Sequence, residues 1–383
     1  MRPCSARTWI EISASALRAN LMLAEHVAAP IRIIPTIKAN AYGHGQTLVA
    51  EILKDTSVPF LAVDSFEEAC EVQKAAPEKR VLILGYVPFD LLKDAVARGF
   101  SLVCSKEETL QGLANVATPE HPAKIHLEIE TGLYRQGVDI EALDSLLTLL
   151  KRVGSHVILE GVCTHFSNVE DLEKENEYPA LQEDRFARAI EIIETAGFSP
   201  EWRHIACSAA IWLRPMDGMS AARLGISLYG VWSSEMVREA VQKNHPKLKL
   251  EPVITWKTII AELKMVKEGE PISYGRTERV SRHTKLAVLP IGYADGFDRR
   301  LSSVGEVLVR GVRCRVLGRV CMNMCMIDVT NVSNVCLEDE VTIFGKSGQE
   351  EASPEDWERF VPGMVAYEAV ARLRQSIPRF LVE

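Results

Sequence analysis

Ile33-Ile34-Pro35-Thr36-Ile37-Lys38-Ala39-Asn40-Ala41-Tyr42-Gly43-His44-Gly45 is a mostly apolar, β-branched run that stops at one amine and passes into an aromatic and glycine turn. A run of that composition reads as a buried strand, which places Lys38 at its end. Two readings of the lysine stand side by side. A strand-ending lysine reaches water and does nothing further. A lysine held near low-dielectric surroundings has its ammonium form disfavoured, and the neutral amine is the species that attacks a carbonyl to form a Schiff base.

Outward from this run, short apolar segments alternate with helix-length amphipathic ones. Strands are expected at Ile31 to Ile37, Phe60 to Val63, Val81 to Tyr86, Ser101 to Cys104, Lys124 to Ile129, Val157 to His165, His204 to Cys207 and Ala222 to Gly230. Ile140, Leu143, Leu147 and Leu150, and later Phe186, Ala189, Ile190 and Ile193, recur as one face of a helix requires. Gly154 and Gly197 fall where C-terminal caps belong. About eight strand–helix repeats in about 230 residues point to a parallel (β/α)8 TIM-type barrel, because an open doubly wound sheet needs fewer strands in that length. No G-x-G-x-x-G follows the first strand, which weakens a dinucleotide-binding alternative.

The texture changes after Pro246. Val253 to Ile260, Lys285 to Pro290, Glu306 to Val309, Cys314 to Leu317, Met324 to Val329 and Glu340 to Phe344 are short, β-rich and separated by turn residues, the pattern of an antiparallel β domain. The expected division is therefore a barrel in residues 1–245 and a mostly antiparallel β domain in 246–383. The segment Thr8 to Ile12 precedes the first helix and suits pairing with the second domain instead of the barrel.

Composition narrows the class. The 383 residues are 47% apolar and 25% charged with a formal charge of −8, an ordinary globular balance without the basic blocks that phosphate neutralisation on nucleic acid needs. The first residues lack a continuous apolar stretch, and no run of about 18 uncharged apolar residues follows, so a cytoplasmic protein with no membrane span is expected. Nine cysteines, an odd number, lie mostly in apolar segments, which fits a reducing compartment and buried thiols. Cys321 and Cys325 have no second Cys or His pair beside them, so no metal is expected there.

Residues that carry chemistry gather around Lys38. Tyr42 lies four positions on, and Arg223-Leu224-Gly225-Ile226 follows a late barrel strand, where backbone N–H groups with Ser208 suit a phosphate. The run Ile-Lys-Ala-Asn-Ala-Tyr-Gly-His-Gly at 37–45 resembles the cofactor-lysine motif of the alanine racemases. The resemblance continues through Thr164-His165-Phe166, Arg223-Leu224-Gly225-Ile226, Ile272-Ser273-Tyr274-Gly275, Pro290-Ile291-Gly292-Tyr293-Ala294-Asp295-Gly296, Gly318-Arg319-Val320-Cys321-Met322, Tyr367-Glu368 and Ile377-Pro378-Arg379. These blocks keep the family's order across essentially the whole chain.

The resemblance implies a barrel carrying pyridoxal 5'-phosphate and a homodimer whose active sites use residues of both subunits. It implies that Lys38 holds the cofactor and serves one face of the substrate's Cα, while Tyr274 of the partner subunit serves the other, with His165 beside that tyrosine. It implies that Arg223 faces the cofactor's ring nitrogen; a guanidinium stays protonated and cannot accept that nitrogen's proton. Tyr42, Ser208, Gly225, Ile226 and Tyr367 would hold the phosphate. Arg135, Met322 of the partner subunit and Tyr293 would meet the substrate, with Arg299 or Arg300 near the channel. The implied product, D-alanine, would feed peptidoglycan synthesis.

Three positions depart from the family pattern. Glu128 stands where many relatives carry a lysine that orients the arginine corresponding to Arg135; a carboxylate is expected to do this by direct pairing. Cys207 replaces an asparagine, and Asn323 an aspartate. Alternatives stay open: a racemase preferring serine or another amino acid, a fold-related decarboxylase, which Arg223 opposes, or a non-catalytic carrier of the cofactor, for which the second domain and Tyr274 would be superfluous.

Overall fold

The computed structural model describes residues 6–172 and 177–383, so Cys4 lies outside the described residues. The chain opens with β1 (Thr8–Ser13) and a helix at Ala14–Ala28, whose N-terminus is capped by Ser13 Oγ accepting from Ala16 N–H at 3.2 Å. That helix buries Leu17, Leu21, Ala24 and Ala28, an i, i+4, i+7 stripe turned to the core.

Among the described residues the barrel comprises β2 (Arg32–Pro35), β3 (Leu61–Val63), β4 (Val81–Ile83), β5 (Ser101–Cys104), β6 (Ala123–Glu128), β7 (Val157–Cys163), β8 (Trp202–His204) and β9 (Ala221–Leu224). From β3 to β8 they pair in parallel in chain order, and β2 pairs in parallel with β9. The ring closes through Ile37 N–H to Ala62 O at 2.8 Å on one side and Ser220 N–H to Arg203 O at 3.0 Å on the other. Helices at Phe66–Ala75, Glu107–Val116, Leu143–Val153 and Tyr178–Thr195 cover the outside. The (β/α)8 reading therefore holds, with most strands shorter than expected and with β8 ending at His204, where the expected strand His204 to Cys207 was to begin. Ala222 to Gly230 is not one strand: β9 stops at Leu224, and Ile226–Tyr229 forms a 3₁₀ turn after Gly225.

The remaining strands, β10 (Ile254–Ile259), β11 (Glu262–Val266), β12 (Pro271–Ile272), β13 (Glu278–Arg279), β14 (Thr284–Leu289), β15 (Glu306–Val309), β16 (Val312–Arg315), β17 (Cys325–Asp328), β18 (Glu340–Ser347), β19 (Glu350–Ala352) and β20 (Arg379–Val382), are mostly antiparallel. β1 lies in their largest sheet, antiparallel to β10 and parallel to β20. Trp256, Phe297, Phe344 and Trp357 form the aromatic core behind that sheet, with ring centroids 4.8–6.4 Å apart. No helix among the described residues is long and apolar enough to cross a membrane. Cys104, Cys163, Cys314 and Cys325 are buried free thiols, whereas Cys336 is exposed.

Candidate active site

The lysine run does not continue as a right-handed helix. Ala39, Asn40, Ala41 and Tyr42 all have φ between 50° and 54°, a left-handed turn built from four consecutive non-glycine residues. Strain of this kind persists only where the surroundings over-determine it. Here Glu68 accepts from Ala39 N–H at 2.7 Å and from Asp64 N–H at 2.8 Å, pinning the start of the turn to the loop after β3. At its far end Gly43 (φ 82°) packs so tightly that an added Cβ would lie 1.9 Å from the Val370 carbonyl oxygen. Arg379, on β20, donates to the Gly43 carbonyl at 2.9 and 2.7 Å. The outcome is geometric: Lys38 and Tyr42 both point into the barrel mouth.

That mouth holds a cavity of about 580 Å³ at the C-terminal ends of the strands, where barrel active sites sit. Lys38, Tyr42, Arg135, His165, Ser208, Arg223, Gly225, Ile226 and Tyr367 line it, together with Asp64, Glu128 and Cys207. Lys38 is not buried as the strand reading expected. It stands after the strand has ended, its side chain is 36% exposed, and its Nζ pairs with Asp64 Oδ1 at 3.2 Å. A carboxylate, not an apolar wall, meets this amine.

On the cavity's other side Ser208 Oγ accepts from Gly225 N–H at 3.0 Å. A Cβ at Gly225 would fall 2.8 Å from Tyr42 Oη and 3.6 Å from Ser208 Oγ, so glycine keeps a small cup open between a phenol, a hydroxyl and backbone N–H groups. Tyr367 comes from the helix Ala366–Ala371 of the C-terminal part, its ring centroid 6.2 Å from that of Tyr42. Burial pushes the Tyr42 hydroxyl up to about 12, so it serves as a donor and not as a charge.

Arg223, only 7% exposed, occupies the floor. Its guanidinium donates to Thr164 O at 2.6 Å, to His165 Nδ1 at 2.9 Å and to His204 Nδ1. Burial first, and then the charge of Arg223, hold His165 and His204 well below the usual imidazole range, so both are neutral acceptors. Because arginine only donates, His165 carries its proton on Nε2.

Glu128 does not pair directly with Arg135. Gln136 donates to its carboxylate instead, and Arg135 is left exposed at the rim. Burial raises the Glu128 carboxyl above its ordinary range, partly opposed by Gln136 and the two arginines. Sequence reasoning missed Gln136, Asp64, Glu68 and His204; the acidic Asp64-Ser65-Phe66-Glu67-Glu68 run after a strand was the available signal for two of them.

Three expected residues lie elsewhere in this chain. Tyr274, Met322 and Tyr293 are 71%, 56% and 43% exposed on loops of the C-terminal part and do not line the cavity. They form one cluster nonetheless. Ser273 Oγ donates to Arg319 O at 2.7 Å, Tyr293 N–H donates to Cys321 O at 3.1 Å and Ala294 N–H to Met322 O at 3.0 Å.

The family model for the N-terminal domain of alanine racemase matches residues 12–233, and that for the C-terminal domain matches 253–381. The chain belongs to the alanine racemase family. Among curated members, alanine racemase of Leptospira interrogans is 35% identical over 98% of this chain and 96% of its own, and that of Desulforamulus reducens 36% over 98% of each. Among solved structures, alanine racemase of Bacillus anthracis with bound L-Ala-P matches with TM-score 0.89 and 30% identity over 100% of this chain and 96% of its own. The enzyme of Streptomyces lavendulae matches with TM-score 0.90 and 28% identity over 99% and 98%.

Proposed function

We propose that this chain is an alanine racemase that interconverts L- and D-alanine, with pyridoxal 5'-phosphate held in the barrel mouth and with two copies completing each other's sites. The carrying observation is the cavity itself: one amine, a buried donor-only guanidinium on the floor, a second at the rim and an anion-sized cup converge at the ends of barrel strands. These residues fit the cofactor. Lys38 would hold its carbonyl carbon, the N–H groups around Gly225 with Tyr42, Ser208 and Tyr367 its phosphate, and Arg223 its ring nitrogen. When bound, the conjugated ring accepts the electron pair left at Cα once its proton departs.

The chain's own residues then divide the work. Lys38, steadied by Asp64, takes or returns a proton on one face. Tyr274 of the partner subunit takes the opposite face, since inversion needs acid–base groups on both sides of a flattened carbon. A phenol is a weak base near neutral pH because its reference pKa is about 10. The His165 Nε2–H, turned outward by the contact of Nδ1 with Arg223, supplies a donor that favours the deprotonated oxygen. Arg223 cannot accept a proton, so with the cofactor bound it would leave the ring nitrogen unprotonated and the electron sink weak, which would limit side reactions. Arg135 and the partner subunit's Met322 receive the substrate carboxylate, and Tyr293 lines the way in.

The exposed loop cluster of Tyr274, Tyr293 and Met322 supports the dimeric reading, because residues of that chemistry have no work on an open surface. Barrel residues 1–245 and β-domain residues 246–383 form the proposed domains. The free thiols suit the cytoplasm, and D-alanine for peptidoglycan is the proposed product. The test is direct: purified protein with the cofactor is followed by visible absorbance before and after borohydride, and by loss of optical rotation with a panel of L-amino acids. Alanine is expected to lose rotation fastest. Release of CO₂, or bound cofactor without turnover, would overturn the reading.

A further inference from the structure

Below the cavity floor a polar file runs through a barrel interior that such folds ordinarily fill with branched apolar side chains. His204 Nε2 lies 2.8 Å from His126 Nδ1, and His126 Nε2 lies 3.5 Å from Glu160 Oε2. Glu160 is in turn held by the Arg80 guanidinium and by Ser101 Oγ, which donates at 2.6 Å. His126 and His204 are fully buried, and the Glu160 side chain is nearly so. Buried polar groups of this kind cost stability unless each is paired, so their arrangement calls for a cause.

The backbone is shaped for the file. Along the β6–β7 pair Ile125 faces Leu159 but His126 faces Gly161, so Glu160 is an extra residue, a bulge that re-aims its side chain. Beside it, a Cβ on residue 161 would lie 2.5 Å from His126 Nδ1; glycine there makes room for the imidazole.

We propose that Glu160 is a positioning residue for the reaction: acting through His126 and His204, it fixes the tautomers that present a bare ring nitrogen to Arg223 and so locks that guanidinium in place beneath the cofactor. This rests on the reading of the cavity given above. Both ends of the file enforce one polarity. Arginine only donates, so His204 Nδ1 is bare and its proton sits on Nε2, where His126 Nδ1 accepts it. The His126 proton then sits on Nε2, turned toward an acceptor-only carboxylate at 3.5 Å, an electrostatic contact and not a formed hydrogen bond. The opposite polarity would set a lone pair against Glu160 and an N–H against the guanidinium. Burial, although opposed by Glu160, keeps His126 below the usual imidazole range, in accord with a neutral ring.

The experiment has two arms. In the cofactor-free protein, ¹⁵N spectra of labelled histidine are expected to show His126 and His204 neutral and protonated at Nε2 at neutral pH. A charged ring, or a proton on Nδ1 of His204, overturns the proposal without any variant. With cofactor, Glu160→Gln is expected to lower kcat about 10-fold or more with KM changed less than about 2-fold, and to mix the tautomers in the cofactor-free spectra. Unchanged kcat and unchanged tautomers overturn it. Should Glu160→Gln not fold, His126→Gln, which keeps an acceptor and a donor, is expected to retain several-fold more kcat than His126→Leu; equal activities overturn it. A protein that never racemises alanine fails the functional reading, while the cofactor-free spectra still judge the tautomers.

Discussion

Ala39 sits at φ 53° with its side chain exposed and only its backbone engaged, its N–H by Glu68 and its carbonyl by Gly43 N–H at 3.1 Å. Left-handed backbone costs an alanine about 1–2 kcal/mol and a glycine little, so Ala39→Gly is expected to stabilise the fold by about 1 kcal/mol in urea unfolding. A loss of stability would mean that the turn is not strained as described. Lys38 and Tyr274 make the second prediction at this scale. Lys38→Ala is expected to abolish the absorbance band of the lysine-bound cofactor, and Tyr274→Phe to keep the band while losing racemisation in both directions, with Cα-proton exchange into solvent surviving from one enantiomer only. Equal rates from both enantiomers at wild-type level would refute the opposite-face assignment. The motif around Lys38 was legible in sequence, and so was the convergence of Arg223, Ser208 and Gly225 upon it. What Lys38 touches was not. Ala-Asn-Ala-Tyr carries no glycine to announce four left-handed residues, and the Asp64 partner is 26 positions away.

The left-handed turn is held by three elements distant in sequence, the helix Phe66–Ala75 after β3 through Glu68, the C-terminal helix through Val370 and β20 through Arg379. Gly43→Ala would force both a disfavoured φ and a clash with the Val370 carbonyl. Overpacking and left-handed strain together are expected to cost about 3 kcal/mol or more, read as a lower denaturation midpoint at constant m-value. Near-wild-type stability would contradict the close packing seen there. Strand identity was readable wherever an apolar run met a turn, as at Ser101–Cys104 and Glu306–Val309. It failed at β11, Glu262–Val266, whose exposed lysine and glutamate do not look like a strand because the segment is barely buried. It also overran at Gly225, where φ −96° and ψ −109° turn the chain out of β9.

Across the molecule His44, His126, His165 and His204 are all shielded, and burial leads in lowering each, His44 to about 4. In the fold they are neutral, whereas the unfolded chain takes up protons once the pH drops through about 6.5. Stability is therefore fully present above that value and is lost as pH falls toward the folded pKa values, with a slope approaching about 1.4 kcal/mol per pH unit for each histidine. Urea unfolding at pH 7.5 and 5.5 checks this, and equal free energies would contradict it. At the same scale, the cavity in one chain holds Lys38 and Arg223 but not Tyr274, Tyr293 or Met322, so the account requires a second copy to complete it. The most direct test is to mix separately purified Lys38→Ala and Tyr274→Phe proteins under conditions of subunit exchange and assay alanine racemisation. Random pairing gives one intact site in half of the dimers, so activity is predicted to rise from near zero to about a quarter of wild type. If the mixture stays as inactive as its components after verified exchange, the site is not shared between subunits and the account is wrong.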